Sequence, residues 1–367
     1  MNFKQKLHKA INASGRMTIL GVSTLSDRVT DEMRYGGKHY FEMADLYEQS
    51  GKALAAHLNT EDAMITNSAS ASITLAIAGL ITKDDPYAVE HLHKVAPNVP
   101  HEILLMKGHN VNYGAPIETM VSLAGAKVKE VGYANGCDIP QIEQAITEKT
   151  VALLFVQSHH CVQKNMPSLQ EVRELCLQCD LPLLVDAAAE DGIDQFGTRC
   201  DLVAFSGSKA IEGPSSGILA GAEPFISYAK MHRSFIGRAM KVGKETVFGL
   251  LAAIEDYGKN TVTLKEQEDE LRVFQSLSAL PGVETAITED PAGRPIKRCR
   301  IFIDPVKAKL NARQLVQALK LGDTPIYTRD YHANEGHIDL DPRPLLPGDA
   351  SIIVDRLNEL LGDSVHV

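Results

Sequence analysis

The sequence predicts an α/β protein: a mainly parallel sheet in a large domain, followed by a smaller C-terminal α+β domain. Three observations predict it. Strand-like and helix-like segments alternate through the first two thirds of the chain, the βαβα rhythm of a parallel sheet with helices on both faces. Residues 151–156 (VALLFV) form an unbroken apolar run, as a central parallel strand covered on both faces requires. From residue 244 the rhythm gives way to a long helical connection reaching 280, and then to short strands with two helices.

Taken in order, residues 44–58 read as a helix with Leu46, Leu54 and Leu58 on one face. Residues 63–65 read as a short strand, and Ser68 opens a helix of small residues to 80. Strands at 102–106 and 127–131 alternate with helices at 115–123 and 138–147. Ser168-Leu169-Gln170-Glu171 is a capping box that starts a helix ending near 179. Strands at 181–185, 202–205 and 217–220 follow. In the C-terminal part, strands at 298–303, 326–328 and 337–340 accompany helices at 312–320 and 349–361.

A chain of 367 residues exceeds one compact core of ordinary size, so two or more domains are expected. At 44% hydrophobic and 23% charged residues it has an ordinary globular composition. No apolar run approaches the roughly 18 residues of a membrane span. The opening MNFKQKLHKAINASGRM has no sustained apolar region, so no secretory leader and a cytoplasmic location are expected, and the sequon Asn12-Ala13-Ser14 carries no meaning. A net charge of −10 without a run of Lys and Arg disfavours nucleic acid. The six cysteines, at 137, 161, 176, 179, 200 and 299, are scattered as in a reduced enzyme. Cys176 and Cys179 form a CxxC on a helix without a second pair, so no metal is expected.

Three features carry chemistry, each where a strand ends, the edge at which open α/β sheets bind ligands. Lys209 follows Phe205 through Ser206, Gly207 and Ser208, with Gly213-Pro214 beyond. A lysine at a sheet edge is partly desolvated, which lowers its pKa and frees its amine for Schiff-base chemistry. Asp186 closes the apolar run 181–185, where a carboxylate is costly to bury without a cation. A pyridinium nitrogen would be such a cation, and Asp–pyridinium pairing tunes the electron sink of pyridoxal 5′-phosphate. The other reading of Asp186 is a helix N-cap. Ser68-Ala69-Ser70 heads a helix whose N–H groups and dipole suit a phosphate, with Ser206 and Ser208 as further donors. Plain N-capping by Asn67 or Ser68 is the competing reading.

Phosphate site, strand-end aspartate and then lysine is the order found in fold-type I pyridoxal-phosphate enzymes, which the chain resembles over nearly its whole length. More narrowly it resembles the selenocysteine synthase-like branch. Ile11-Asn12-Ala13-Ser14-Gly15 is similar to that branch's Ile-Asn-Ala-Thr-Gly opening. Phe205-Ser206-Gly207-Ser208-Lys209 with Gly213-Pro214 is similar to its Phe-Ser-Gly-Asp-Lys and Gly-Gly-Pro, with Ser208 departing from Asp. Arg238-Ala239-Met240 with Lys244 resembles its Arg-Ala-Leu-Arg and Asp-Lys segment. Within the branch, residues 12–23 look most like the D-glucosaminate 6-phosphate ammonia-lyase group.

The resemblance implies pyridoxal 5′-phosphate on Lys209, Asp186 at its ring nitrogen, and a homodimer or larger homo-oligomer whose subunits share the site. It also implies a segment 1–45 packed near the site, a large domain over 46–250 and a small one over 251–367. His109 follows a strand and is expected to stack on the cofactor or move a proton. His159 or His160 reaches the same sheet end; neighbours in extended chain cannot both point there. Arg343 or its rival Arg329 is expected to grip a substrate carboxylate, since a guanidinium binds both oxygens. Arg16, with Arg238 or Lys244 from a partner subunit, is expected to hold a second phosphate.

The expected reaction is loss of water and ammonia from a small-molecule substrate, a phosphorylated 2-amino sugar acid. A transferase on charged tRNA is the alternative, disfavoured by the acidic charge and by a chain beginning almost at the Ile-Asn-Ala segment. An aminotransferase, or a non-catalytic sugar-phosphate-binding relative, is the further one; Lys209 and Asp186 argue against the non-catalytic case.

Overall fold

The computed structural model describes residues 7–158, 160–259, 262–290 and 295–362. In chain order the strands are β1 (Ile11–Ala13), β2 (Asp62–Thr66), β3 (Glu102–Met106), β4 (Lys127–Val131), β5 (Thr150–Val156), β6 (Leu183–Asp186), β7 (Leu202–Ser206), β8 (Gly217–Gly221), β9 (Val283–Glu289), β10 (Lys297–Ile303), β11 (Ile326–Thr328) and β12 (His337–Leu340). The helices are α1 (Asp27–Lys38), α2 (Met43–Leu58), α3 (Ala69–Thr82), the short α4 (Pro86–Glu90) and α5 (Leu92–Val95), α6 (Ile117–Leu123), α7 (Ile139–Ala145), α8 (Leu169–Gln178), α9 (Glu223–Met231), α10 (Lys244–Asp256), α11 (Leu264–Leu271), α12 (Ala312–Lys320) and α13 (Asp349–Leu361). None of the described helices is long and apolar enough to cross a membrane.

Two compact units result, residues 25–257 and the described residues of 1–24 with 258–367. These bounds differ from the 1–45, 46–250 and 251–367 division. Residues 27–38 join the large unit because α1 packs along α10. The first residues join the C-terminal unit because β1 pairs in parallel with β11, Asn12 opposite Tyr327. A pairing across three hundred residues has no local signature.

The large unit is a seven-stranded sheet in the order β2-β8-β7-β6-β5-β3-β4. Strands β4, β3, β5, β6 and β7 are parallel, and β8 is antiparallel to both its neighbours. The loop 207–216 explains the reversal: a parallel return takes about a dozen residues or more of crossover. β5 lies between β3 and β6, and its side chains alternate between two cores. Leu153 and Phe155 enter the layer formed with α1, α2, α8 and α10, whereas Ala152, Leu154 and Val156 enter the layer with α3, α6 and α9. Helix α3 is buried from Ala71 to Thr82, which its small and apolar sequence permits on every side.

The C-terminal unit holds an antiparallel sheet, β12-β10-β9, over a core with Phe274, Leu315, Ile338, Ile353 and Leu357. The expected long helix over 244–280 is broken. α10 ends at Asp256, Gly258 takes φ +77°, and Thr263 starts α11 with a capping box to Glu266. A 3-10 stretch, Arg272–Ala279, completes the connection. Strand β9 was not read from the sequence.

Candidate active site

The strand ends bring the three features together. Asp186, last in β6, lies beside Ala204 of β7. Two residues further on, Ser206 stands opposite Gly217 of β8, and Gly217 stands opposite Thr66 of β2. The lysine loop and the head of α3 thus meet over Gly217. A Cβ there would come within 2.2 Å of the Ser68 carbonyl, so only glycine allows this approach.

The loop carrying Lys209 is held by its own backbone. Gly207 N–H donates to the Ser216 carbonyl at 2.9 Å, and Gly213 N–H to the Gly207 carbonyl at 2.8 Å. Ser206 and Ser208 place their hydroxyl oxygens 3.3 Å apart. Burial pushes the Lys209 amine below the usual lysine range, against the opposing charge of Asp186. Asp186 is buried, and burial pushes its carboxyl up, opposed by a hydrogen bond from Ala188 N–H and by the charge of Lys209. The Ala188 bond is 3.0 Å long, and among the described residues no salt bridge reaches Asp186. A buried carboxyl pushed up by desolvation is suited to a cationic ring nitrogen, and a desolvated lysine to a carbonyl.

At the head of α3, Ser68 Oγ accepts from Ala71 N–H at 3.1 Å and donates to Asn67 Oδ1 at 3.2 Å. Ser68 is therefore the N-cap, and its hydroxyl is engaged there. The N–H groups of Ala69 and Ser70 stand in the first turn, where an α-helix offers no internal acceptor. The Ser70 hydroxyl meets the Tyr113 hydroxyl at 3.2 Å. Tyr113 was missed by sequence reasoning. Its only signal was an aromatic residue in the loop after β3.

His109 lies at the same sheet end. Its Nδ1 accepts from Val156 N–H at 3.2 Å, and its ring meets Phe155 edge-on at 4.7 Å. Accepting at Nδ1 leaves the proton on Nε2, and burial pushes the pKa down to about 4. His109 is thus a neutral imidazole. His159 lies outside the described residues, and His160 is exposed. Gln157, next to Val156, donates to Glu190 at 3.2 Å and adds a polar pair that the sequence did not single out.

Arg238 is exposed in a 3-10 turn, Ile236–Met240. Lys244 is engaged within its own chain. Its ammonium donates to the Gly36 and Gly37 carbonyls at 2.7 Å each, capping the end of α1, where a cation also meets the negative end of the helix dipole. In the C-terminal unit Arg16 is half-buried. Arg343 forks onto Asp341 through Nε at 2.9 Å and Nη2 at 2.7 Å. Asp341 also takes Arg298, which pairs with Asp290 at 2.7 Å. Arg329 differs: its guanidinium lies over the Tyr331 ring at 5.1 Å, and burial and then the charge of Arg298 push its pKa down. Among the described residues no carboxylate lies within salt-bridge distance of Arg329. No group of three or more His, Cys, Asp or Glu suited to a metal occurs among the described residues.

A desolvated lysine, a strand-end carboxyl within its electrostatic reach and a helix N-terminus at the same edge fit one class, a fold-type I pyridoxal-phosphate enzyme. The family model for L-seryl-tRNA selenium transferase matches residues 12–279, and the chain belongs to that family. It is 39% identical to D-glucosaminate-6-phosphate ammonia lyase from Salmonella typhimurium, over 96% of each chain. It is 33% identical to a 5'-C-glycyluridine monooxygenase-decarboxylase from a Streptomyces species, over 96% of this chain and 90% of that one. A solved structure of D-glucosaminate-6-phosphate ammonia-lyase superposes with a TM-score of 0.91 at 38% identity, covering 97% of this chain and 96% of the other.

Proposed function

We propose that this chain is a pyridoxal-phosphate-dependent carbon–nitrogen lyase that releases ammonia, by loss of water at C3 and its return at C2, from a phosphorylated 2-amino sugar acid of the D-glucosaminate 6-phosphate type. The observation that carries the reading is the mutual placement of desolvated Lys209 and buried Asp186. The 39% identity to the ammonia lyase across nearly the whole length supports the substrate class. The net charge of −10 speaks against charged tRNA.

When bound to Lys209, pyridoxal 5′-phosphate supplies a sink for the electron pair left at Cα. Once the substrate amine has taken its place on the cofactor, Lys209 Nζ would be free to accept the Cα proton, a role its lowered pKa favours. The same nitrogen returns a proton to the departing C3 hydroxyl, which leaves as water. Water later replaces the amine at C2, so the net products are a 2-keto-3-deoxy acid phosphate and ammonia. Asp186 would pair with the ring nitrogen. Ala69 and Ser70 N–H, with Ser206 and Ser208, would hold the cofactor phosphate.

Of the two arginines expected to bind a carboxylate, Arg329 is the better suited. Arg343 already grips Asp341, whereas Arg329 is desolvated and, among the described residues, makes no salt bridge to a carboxylate. Arg238 is exposed, as a residue serving a partner subunit's site would be. A homodimer or larger assembly is part of the reading. Light scattering should find no active monomer; a fully active one would contradict the shared site.

The test of the substrate is direct. The protein is incubated with D-glucosaminate and with its 6-phosphate, and ammonia and 2-keto acid are measured. Both products should appear in equal amounts, far faster from the phosphorylated acid. Transamination of common amino acids, with no ammonia from either sugar acid, would overturn the lyase and leave the cofactor assignment alone.

A further inference from the structure

We propose that Tyr113 is a positioning residue for the cofactor phosphate, donating its hydroxyl beside Ser70 at the head of α3. The inference rests on the cofactor assignment above and adds a residue that the motifs do not contain. Four observations support it. The Tyr113 hydroxyl lies 3.2 Å from Ser70 Oγ, in the first turn of a fourteen-residue helix whose leading N–H groups have no internal acceptor. The loop holding Tyr113 is pinned at both sides: Tyr113 N–H donates to the Ala115 carbonyl, Ile117 N–H to the Val111 carbonyl, and Gly114 N–H to Asn112 Oδ1. The ring packs with Val111 and Met120 against the core that also contains Ile73 and Ile77 of α3. Finally, burial raises the phenol's pKa against the Ser70 hydrogen bond, and the charge of Asp186 adds to the rise, which places the phenol within the electrostatic reach of the strand-end carboxyl.

These facts select one role among those open to a tyrosine. A phenol held above its usual pKa is a poor proton donor in a reaction step but a permanent hydrogen-bond donor. Its position beside the helix head directs that donor to an anion. Each hydroxyl has one proton, so Ser70 would donate to the Tyr113 oxygen while Tyr113 donates its own proton to the anion. A neutral donor adds to the site without the desolvation cost that a buried lysine or arginine would bring.

The experiment compares wild type, Tyr113→Phe and Ser70→Ala, each stripped of cofactor as the full chain. Each is titrated with pyridoxal 5′-phosphate and, separately, with pyridoxal, which lacks the phosphate but keeps the aldehyde and ring. Binding is followed by absorbance. Tyr113→Phe should weaken pyridoxal 5′-phosphate about tenfold, or about 1.4 kcal/mol, and leave pyridoxal within about twofold of wild type. Ser70→Ala should show the same selectivity, which keeps the proposal testable if one variant folds poorly. Equal affinity of wild type and Tyr113→Phe for pyridoxal 5′-phosphate would overturn the inference alone. Equal weakening of both ligands would also overturn it, by placing the tyrosine's effect on the ring or the fold. Failure of wild type to bind pyridoxal 5′-phosphate at all would remove the cofactor assignment as well.

Discussion

At the residue scale, Asp186 and Lys209 shape each other. Burial pushes the carboxyl up and the amine down, while their attraction works the other way on both. Such an unsettled pair is characteristic of functional sites, where desolvation is tolerated because a ligand later satisfies the charge. Asp186→Ala should therefore lose at least about a hundredfold in turnover, roughly 3 kcal/mol of barrier. Its resistance to urea without cofactor should hold or rise, because a poorly compensated buried carboxyl has been removed. Near-normal turnover would exclude the pairing with the ring nitrogen. Asp186 stood out because it closes an apolar strand with a residue that is expensive there, and Lys209 because a turn of small residues follows the last strand residue, Ser206. Tyr113 did not, since its meaning comes from Ser70 on another element. The contacts of Lys244 were hidden for a similar reason: its partners are the Gly36 and Gly37 carbonyls, which carry no side-chain signal.

At the element scale, legibility followed how local the forces are. The capping box of Ser168 and Glu171 forms as read, because both partners lie within one turn. Strand β5 sits in the sheet interior, as its unbroken apolar run required. Strand β1 has three residues and pairs only through a distant segment, so no local pattern marks it. The break after α10 hinges on Gly258 and the Thr263 cap, short signals within a helical composition. Helix α3 is fastened at its far end as well: Thr82 Oγ1 and His232 Nε2 form a buried hydrogen bond of 2.8 Å. Burial pushes His232 down to about 4. The unfolded chain therefore binds its proton first as pH falls, near pH 6.5. The stability from this neutral histidine is complete above that pH and is lost as pH drops toward 4. Between about pH 7.5 and about pH 5 the loss should be about 2 kcal/mol for this one residue. Urea unfolding of His232→Gln at both pH values should show a pH dependence smaller by that amount. An unchanged dependence would mean that His232 keeps its proton on folding.

For the whole molecule, the large unit is a scaffold that lines up strand ends. The order β2-β8-β7-β6-β5-β3-β4 sets Thr66, Gly217, Ser206 and Asp186 along one edge, although they are spread over 150 residues of chain. The family match and the 0.91 superposition agree with that arrangement. Borohydride reduction tests most directly whether Lys209 carries the cofactor. Purified protein supplied with pyridoxal 5′-phosphate should be yellow. Reduction should bleach the colour and fix one pyridoxyl group per chain, and peptide mapping should place it on Lys209. A label on Lys107 or Lys164, or no label after reduction of the coloured protein, would contradict the account.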